Sequence, residues 1–252
     1  ARRVLDAHRN RLASFNDDIQ GTSGVACAAI LAGLQGLGAT LGQGPIVIFG
    51  AGTAGCGIAE RLERLLIRQG LSPDEARSRL WLLDRRGLVY AGRPGVRDLA
   101  LPWAADALRM EALAQAGAQP DAEGRVGLLA LLEAVKPMVL IGTSTVAGAF
   151  DQAVIEALCR GCARPIVLPL SNPTALAEVT PDDLLRWSEG RALVATGSPF
   201  APVQVAGTMR QIGQCNNCFV FPGLGFGALA VGAREVSEAM IDASLEALAA
   251  VI

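Results

Sequence analysis

The sequence predicts an α/β fold, a doubly wound parallel sheet with helices on both faces. Three observations carry that expectation. Ile46–Phe49 is a short apolar run between Gly44-Pro45 and Gly50, the pattern of a strand buried on both faces. The glycine-rich turn Gly50–Gly55 then leads directly into a helical stretch that runs to Arg68. Beyond it, short apolar runs alternate with helical stretches, which is how consecutive βαβ units read.

In chain order, residues 1–42 form a helical lead-in, with a long helix over Thr22–Leu41 whose Ala, Gly and Leu suit close packing. The sheet-forming core is expected over about residues 43–235. Gly70-Leu71-Ser72-Pro73 breaks the helix that follows the first strand, and Ser72 is placed to cap a short helix over Pro73–Arg79. Leu80–Asp84 reads as the second strand, ending in an acid. Met138–Ile141, Ile166–Leu170 and Leu193–Thr196 read as further strands. Helices are expected at Asp151–Cys159, Pro181–Trp187, Gly225–Glu235 and, as a C-terminal helix, residues 237–252. Gly95–Glu123, broken by Pro and Gly, reads as an irregular surface excursion.

Composition narrows the function. Half of the 252 residues are hydrophobic (51%), enough for a substantial core. The net charge is −2 and the charges are mixed, so no basic stripe points to nucleic acid. No apolar run reaches the roughly eighteen residues of a membrane span, and no signal peptide opens the chain. The expectation is a soluble, cytoplasmic protein with neither nucleic acid nor membrane as partner. The opening Ala1, in helical pattern and without a methionine, reads as the start of a fragment. Cys159–Cys162 and Cys215–Cys218 are C-x-x-C pairs, but they lie too far apart for a zinc ribbon. They are expected to be reduced structural cysteines, like Cys27 and Cys56.

Gly50-Ala51-Gly52-Thr53-Ala54-Gly55, between a strand and a helix, is a dinucleotide fingerprint in the required context, and it makes the fold Rossmann-like. Gly50 permits the tight turn, Gly52 lets backbone approach a pyrophosphate, and Gly55 lets helix and strand pack closely. The helix start supplies N–H groups and partial positive charge for the phosphates. Asp84 is placed to bond the adenosine ribose hydroxyls, which favours NAD. Arg85 or Arg86 beside it could instead pair a 2′-phosphate, so NADP stays open.

Phe15–Thr22 (FNDDIQGT) sets two adjacent acids before a helix start, as caps or as ligands for a hard cation. This stretch resembles a signature of the malic enzyme family. LLDRRGL, KPMVLIGTSTVAGAF, LPLSNPTALAE, GRALVATGSPF and GQCNNCFVFPGLGFGALA resemble its later signatures, in the same order and across essentially the whole chain. The resemblance implies an NAD(P)-binding domain. It implies that Asp18 is a metal-ligating aspartate and Asp17 the acid beside the catalytic base. It implies further that Asn172 contacts substrate and nicotinamide, and that Asn216 binds the substrate acid. Loop capping is the other reading of each asparagine. Cys215 replaces a family glycine, and the loop TSTVAG after Ile141 is less glycine-rich than usual.

The implied reaction is oxidative decarboxylation of malate to pyruvate and CO2 with Mg2+ or Mn2+, in a homo-oligomer. The family's base lysine, acid tyrosine and two further acidic metal ligands precede FNDDIQGT. Here the residues before Phe15 hold no lysine or tyrosine, and Asp6 as the one acid. Lys136 and Tyr90, each alone of its type, match no catalytic position, and His8, the one histidine, sits in a polar helical stretch and reads as a surface residue. The expectation is a domain separated from its N-terminal catalytic partner, binding cofactor without turning over malate. A malolactic enzyme, releasing lactate, and a non-catalytic dinucleotide sensor are the alternatives.

Overall fold

The computed structural model describes residues 2–251; Ala1 and Ile252, the ends of the expected domain, lie outside the described residues. In chain order the elements begin with α1 (Arg2–His8), a π-helical turn over Asp17–Gly21, and α2 (Thr22–Gly36). They continue with β1 (Ile46–Phe49), α3 (Thr53–Arg68), α4 (Pro73–Ser78), β2 (Leu80–Asp84), β3 (Gly87–Leu88) and α5 (Ala107–Gln115). Next come α6 (Leu128–Val135), β4 (Val139–Gly142), α7 (Gln152–Gly161), β5 (Ile166–Pro169), α8 (Pro181–Trp187) and β6 (Leu193–Thr196). The last are β7 (Val203–Val205), β8 (Thr208–Arg210), β9 (Gly213–Gln214), α9 (Phe221–Ala230) and α10 (Glu238–Ala249).

Among the described residues, seven strands form one sheet in the order β3-β2-β1-β4-β5-β6-β9. All its pairings are parallel except that of β3, a two-residue edge strand antiparallel to β2. The expected parallel sheet is therefore present, with an antiparallel edge. Chain order reverses between β1 and β4, so the crevice for a ligand opens there, at the carboxyl ends of the strands.

Alternation along each strand divides the core. Ile46, Ile48, Leu80, Leu82, Val139, Ile141, Ile166 and Leu168 face α2, α3 and α10, while Val47, Trp81, Leu83, Leu140 and Val167 face α6, α7 and α8. Strands buried on both faces read as unbroken apolar runs, which is why these were visible in the sequence. Ser72 does cap α4, in a reciprocal capping box with Glu75. No helix among the described residues is long and apolar enough to cross a membrane.

Gly95–Glu123 corrects the expectation of an irregular excursion. It contains a 3-10 turn over Asp98–Trp103 and α5, capped by Asp106. Arg109 of α5 lies 3.9 Å over the Trp81 ring and donates to the Leu80 carbonyl at 2.8 Å, which docks the segment on β2. The hairpin β7–β8 turns through Ala206-Gly207, both at positive φ (49° and 82°), the two-residue turn that suits strand twist. Helix α2 stops at Gly36, short of the expected Leu41, and α9 starts at Phe221, before the expected Gly225.

An ion-pair cluster fastens α10 across α3. Arg61, 4% exposed, holds Asp242 at 2.6 Å and Glu238 at 2.5 Å, and Arg9 also reaches Glu238. Removing one member leaves a buried charge uncompensated, although Arg68 still stands 3.3 Å from Asp242. Arg61→Ala is therefore expected to cost about 3 kcal/mol in urea unfolding. Arg125→Ala, which breaks only exposed pairs, should leave the midpoint unchanged. Equal effects would contradict this account of the cluster.

Candidate functional site

The glycine turn leaves β1 at the reversal of strand order, and its three glycines differ in what surrounds them. Gly50 has φ +127°, and a Cβ there would stand 2.5 Å from the backbone of Thr143, just beyond β4. A Cβ on Gly55 would meet the Gly50 carbonyl oxygen at 2.1 Å, so α3 can start this close only without one. At Gly52 the same atom would find only Arg97 Nη1, at 3.8 Å. The space over Gly52 is therefore free of protein backbone, which suits the approach of a ligand. The turn is anchored by Gly50 and Ala51, whose N–H groups donate to the Leu83 carbonyl at 2.8 and 2.9 Å. No side chain caps α3, so the N–H groups of its first turn, at Thr53, Ala54 and Gly55, remain available to an anion. The residues present fit a dinucleotide pyrophosphate.

Asp84 ends β2 beside this turn, as expected, but its partner is one that the sequence reading missed. Arg93 donates through Nη1 to Asp84 Oδ1 at 3.0 Å and through Nη2 to Oδ2. Arg93 also bonds the Gly87 and Leu88 carbonyls, and its side chain is 7% exposed. Arg86 is committed elsewhere, its guanidinium on the Gly95 carbonyl and its N–H on Asp84 Oδ1 at 2.8 Å. Arg85 is exposed and has no side-chain bond among the described residues. Arg97, beside Gly52, is the other basic group that the sequence reading missed; both come from the segment after β3 that offered no periodic pattern.

The loops after β4, β5 and β6 form the other side of the crevice. Thr143 Oγ1 donates to the Gly50 carbonyl at 3.0 Å, tying the first of them to the glycine turn. Thr145, a β-branched residue, is held at φ +57°. Asn172 follows β5 and accepts a hydrogen bond from Ser198 beyond β6. Glu178, fully buried, bonds Ser144 and Ser171 and was not singled out by the sequence reading.

The acidic pair lies on the π-helical turn before α2. Neither acid caps it; Asn16 does, accepting from the Ile19 N–H at 2.9 Å. Asp17 accepts from Asn217 Nδ2 at 2.5 Å through Oδ2, while its Oδ1 is buried without a partner. Burial, and then the charge of Asp18, raise the Asp17 carboxyl above its ordinary range. A Cβ on Gly21 would stand 2.2 Å from Asp17 Oδ1, so that glycine admits the carboxyl. Asp18 is exposed, with no side-chain bond among the described residues. Asn216 spends its carbonyl oxygen on the Cys218 N–H at 3.0 Å, capping its own turn, so Asn217 is the residue of the pair that reaches the acids.

A divalent cation needs several oxygen ligands, and among the described residues no group of three or more His, Cys, Asp or Glu could hold one. The donors of the described residues do not by themselves complete a metal site. The cysteines are free, and burial pushes the Cys215 thiol up to about 12. Lys136 and His8 are exposed, away from the crevice. A cavity of about 670 Å³ lies between α2 and β6, lined by Val25, Ala29, Leu168, Leu193 and Ile212 and bordered by Arg164 and Arg210. Apart from these two basic groups its lining is mainly apolar, whereas the crevice over the glycine turn presents the free N–H groups that start α3.

Residues 19–252 match the sequence profile described as "Malic enzyme, NAD binding domain". The chain is 42% identical to NAD-dependent malic enzyme 3 of Bacillus subtilis over all of this chain and 44% of that protein. It is 44% identical to the NAD-dependent malic enzyme of Shewanella baltica, over 98% of this chain and 43% of that one. The chain thus spans less than half the length of these relatives. Among solved structures, the malic enzyme of Pyrococcus horikoshii superposes with a TM-score of 0.69 at 26% identity, covering 99% of this chain and 51% of that one. The NAD-dependent malic enzyme of Thermotoga maritima gives 0.69 at 23% identity, over 97% and 54%, a likeness of fold.

The glycines separate packing from ligand approach. Gly55→Ala is expected to lower the melting temperature, since its Cβ meets backbone. Gly52→Ala is expected to leave melting unchanged and to weaken NAD binding about tenfold or more, the equivalent of about 1.4 kcal/mol. Calorimetric melting and NAD titration of both variants check this; a Gly52→Ala protein with undiminished affinity would contradict it.

Proposed function

Because the chain belongs to the malic enzyme family, as its NAD-binding domain, we propose that it holds NAD for the oxidative decarboxylation of malate to pyruvate and CO2 by a longer polypeptide. The observation that carries this reading is the uncapped start of α3 above a turn that only glycine can make. Bound NAD supplies a hydride acceptor. The residues of this chain bind and orient it: Gly50, Ala51, Gly52, Thr53, Ala54 and Gly55 around the pyrophosphate, Asp84 at the adenosine ribose, and Asn172 at the nicotinamide and substrate. With Oδ1 taken by the Arg86 N–H and Arg93, Asp84 keeps acceptor capacity on Oδ2 for a ribose hydroxyl while Arg93 fixes its orientation.

Asp18 is proposed as this chain's single carboxylate for a Mg2+ or Mn2+ ion whose other ligands come from the rest of the polypeptide. Asp17 is proposed as a support beside the missing base, with Asn216 as a substrate contact through its free amide. The outer face of α9, with Phe226 76% and Leu229 84% exposed beside this region, is assigned to contact with that remaining part.

NAD is proposed over NADP, because a 2′-phosphate at Asp84 would meet a carboxylate at short range. Of the two arginines that follow Asp84, Arg85 is the competing donor, since the guanidinium of Arg86 is bonded to the Gly95 carbonyl. Isothermal titration is expected to show NAD binding more tightly than NADP, with the Arg85→Ser variant keeping that order. NADP binding more tightly, with the preference abolished in Arg85→Ser, would contradict the choice. The chain alone, with malate, NAD and Mn2+, is expected to form no NADH above background. Turnover at an enzyme-like rate would overturn the division of labour proposed here.

A further inference from the structure

In a doubly wound sheet the two halves of a dinucleotide lie on opposite sides of the reversal in strand order. Asp84, on the β2 side, belongs to the adenosine half. The loops after β4 and β5 therefore flank the nicotinamide half. One buried side chain joins them. Glu178 Oε1 accepts from the Ser144 N–H at 2.8 Å, the Ser144 hydroxyl at 2.8 Å and the Ser171 hydroxyl at 2.6 Å. Ser171 Oγ in turn accepts from the Thr145 N–H at 2.9 Å.

The surroundings are shaped to admit this carboxyl group. A Cβ on Gly142, the last residue of β4, would stand 2.5 Å from Glu178 Cδ. Glu178 is 0% exposed, its Oε2 has no partner, and it makes no ion pair among the described residues. Burying a polar group in this way is costly, and an apolar side chain would fill the space at lower cost. An apolar side chain could not gather three donors at one point. Those bonds hold the Ser144–Thr145 backbone where Thr145 keeps φ +57°, a conformation unfavourable for a β-branched residue.

We propose that Glu178 is a positioning residue for the nicotinamide half of the cofactor, locking Ser144–Val146 and Ser171–Asn172 into a single wall. The proposal rests on the reading of this crevice as an NAD site. Its test compares two ligands, NAD and ADP-ribose, which share the adenosine and pyrophosphate but differ in the nicotinamide. Both are titrated against the chain, Glu178→Gln and Ser171→Ala.

Each variant is expected to bind NAD about tenfold more weakly, the loss of about one buried hydrogen bond, and ADP-ribose within about twofold of the parent chain. Ser171→Ala leaves Glu178 in place, so it carries the test if Glu178→Gln does not fold. Equal losses for both ligands, or no loss for either, would overturn the proposal alone. A parent chain that binds neither ligand would overturn the NAD reading and the proposal with it.

Discussion

The missing Cβ of Gly55, which would stand 2.1 Å from the Gly50 carbonyl oxygen, lets α3 begin directly above the end of β1. The rest of the crevice is arranged around that contact. Because α3 starts there, its free N–H groups lie at the reversal of strand order and not out over solvent. Because the chain turns tightly at Gly50, Thr143 can pack against it and bond its carbonyl, which brings the loop after β4 alongside. From Thr143 the connection passes through Ser144 to Glu178 and on to Ser171 and Asn172. A helix set back by one methyl radius would detach the glycine turn from that series of loops.

Carboxyl groups mark out the site, and their partners separate their roles. Asp84 is held by Arg93 and keeps acceptor capacity toward the crevice. Glu178 collects neutral donors and acts only on loops. Asp17 bonds Asn217, with one oxygen buried and unpartnered, while Asp18 stands free beside it. That last arrangement is an acidic pair without, among the described residues, enough ligands for a cation, near an apolar helix face in solvent. It accords with a chain that spans less than half the length of its relatives.

Most of the sheet was legible in the sequence because strands buried on both faces are short, apolar and bounded by glycine or proline, as Ile46–Phe49 and Leu80–Asp84 show. Pro181–Trp187 was legible to the residue because Thr180 caps it and proline opens it. Four strands went unread: Gly87–Leu88 and Gly213–Gln214, two residues long, and the three-residue strands of the hairpin Val203–Val205 and Thr208–Arg210, none long enough to carry a pattern. The glycine turn was legible as a motif, and the structure adds a steric reason at Gly50 and at Gly55 while the space over Gly52 stays open. Arg93, Arg97, Glu178 and Asn217 were not legible, because each acts through contacts between segments distant in sequence or in a stretch without periodicity. Asn217 shows the limit most clearly: adjacent asparagines look alike in sequence, and only the turn that Asn216 caps decides which one reaches Asp17.

The central claim is that the crevice above the glycine turn, at the reversal of strand order, is the cofactor site. A crystal structure of the chain soaked with NAD tests it most directly. The account predicts the pyrophosphate over the N–H groups of Thr53–Gly55, the adenosine ribose at Asp84, and the nicotinamide between Ser144–Val146 and Asn172. Density for the dinucleotide in the apolar cavity between α2 and β6, or a pyrophosphate lying away from the start of α3, would contradict it.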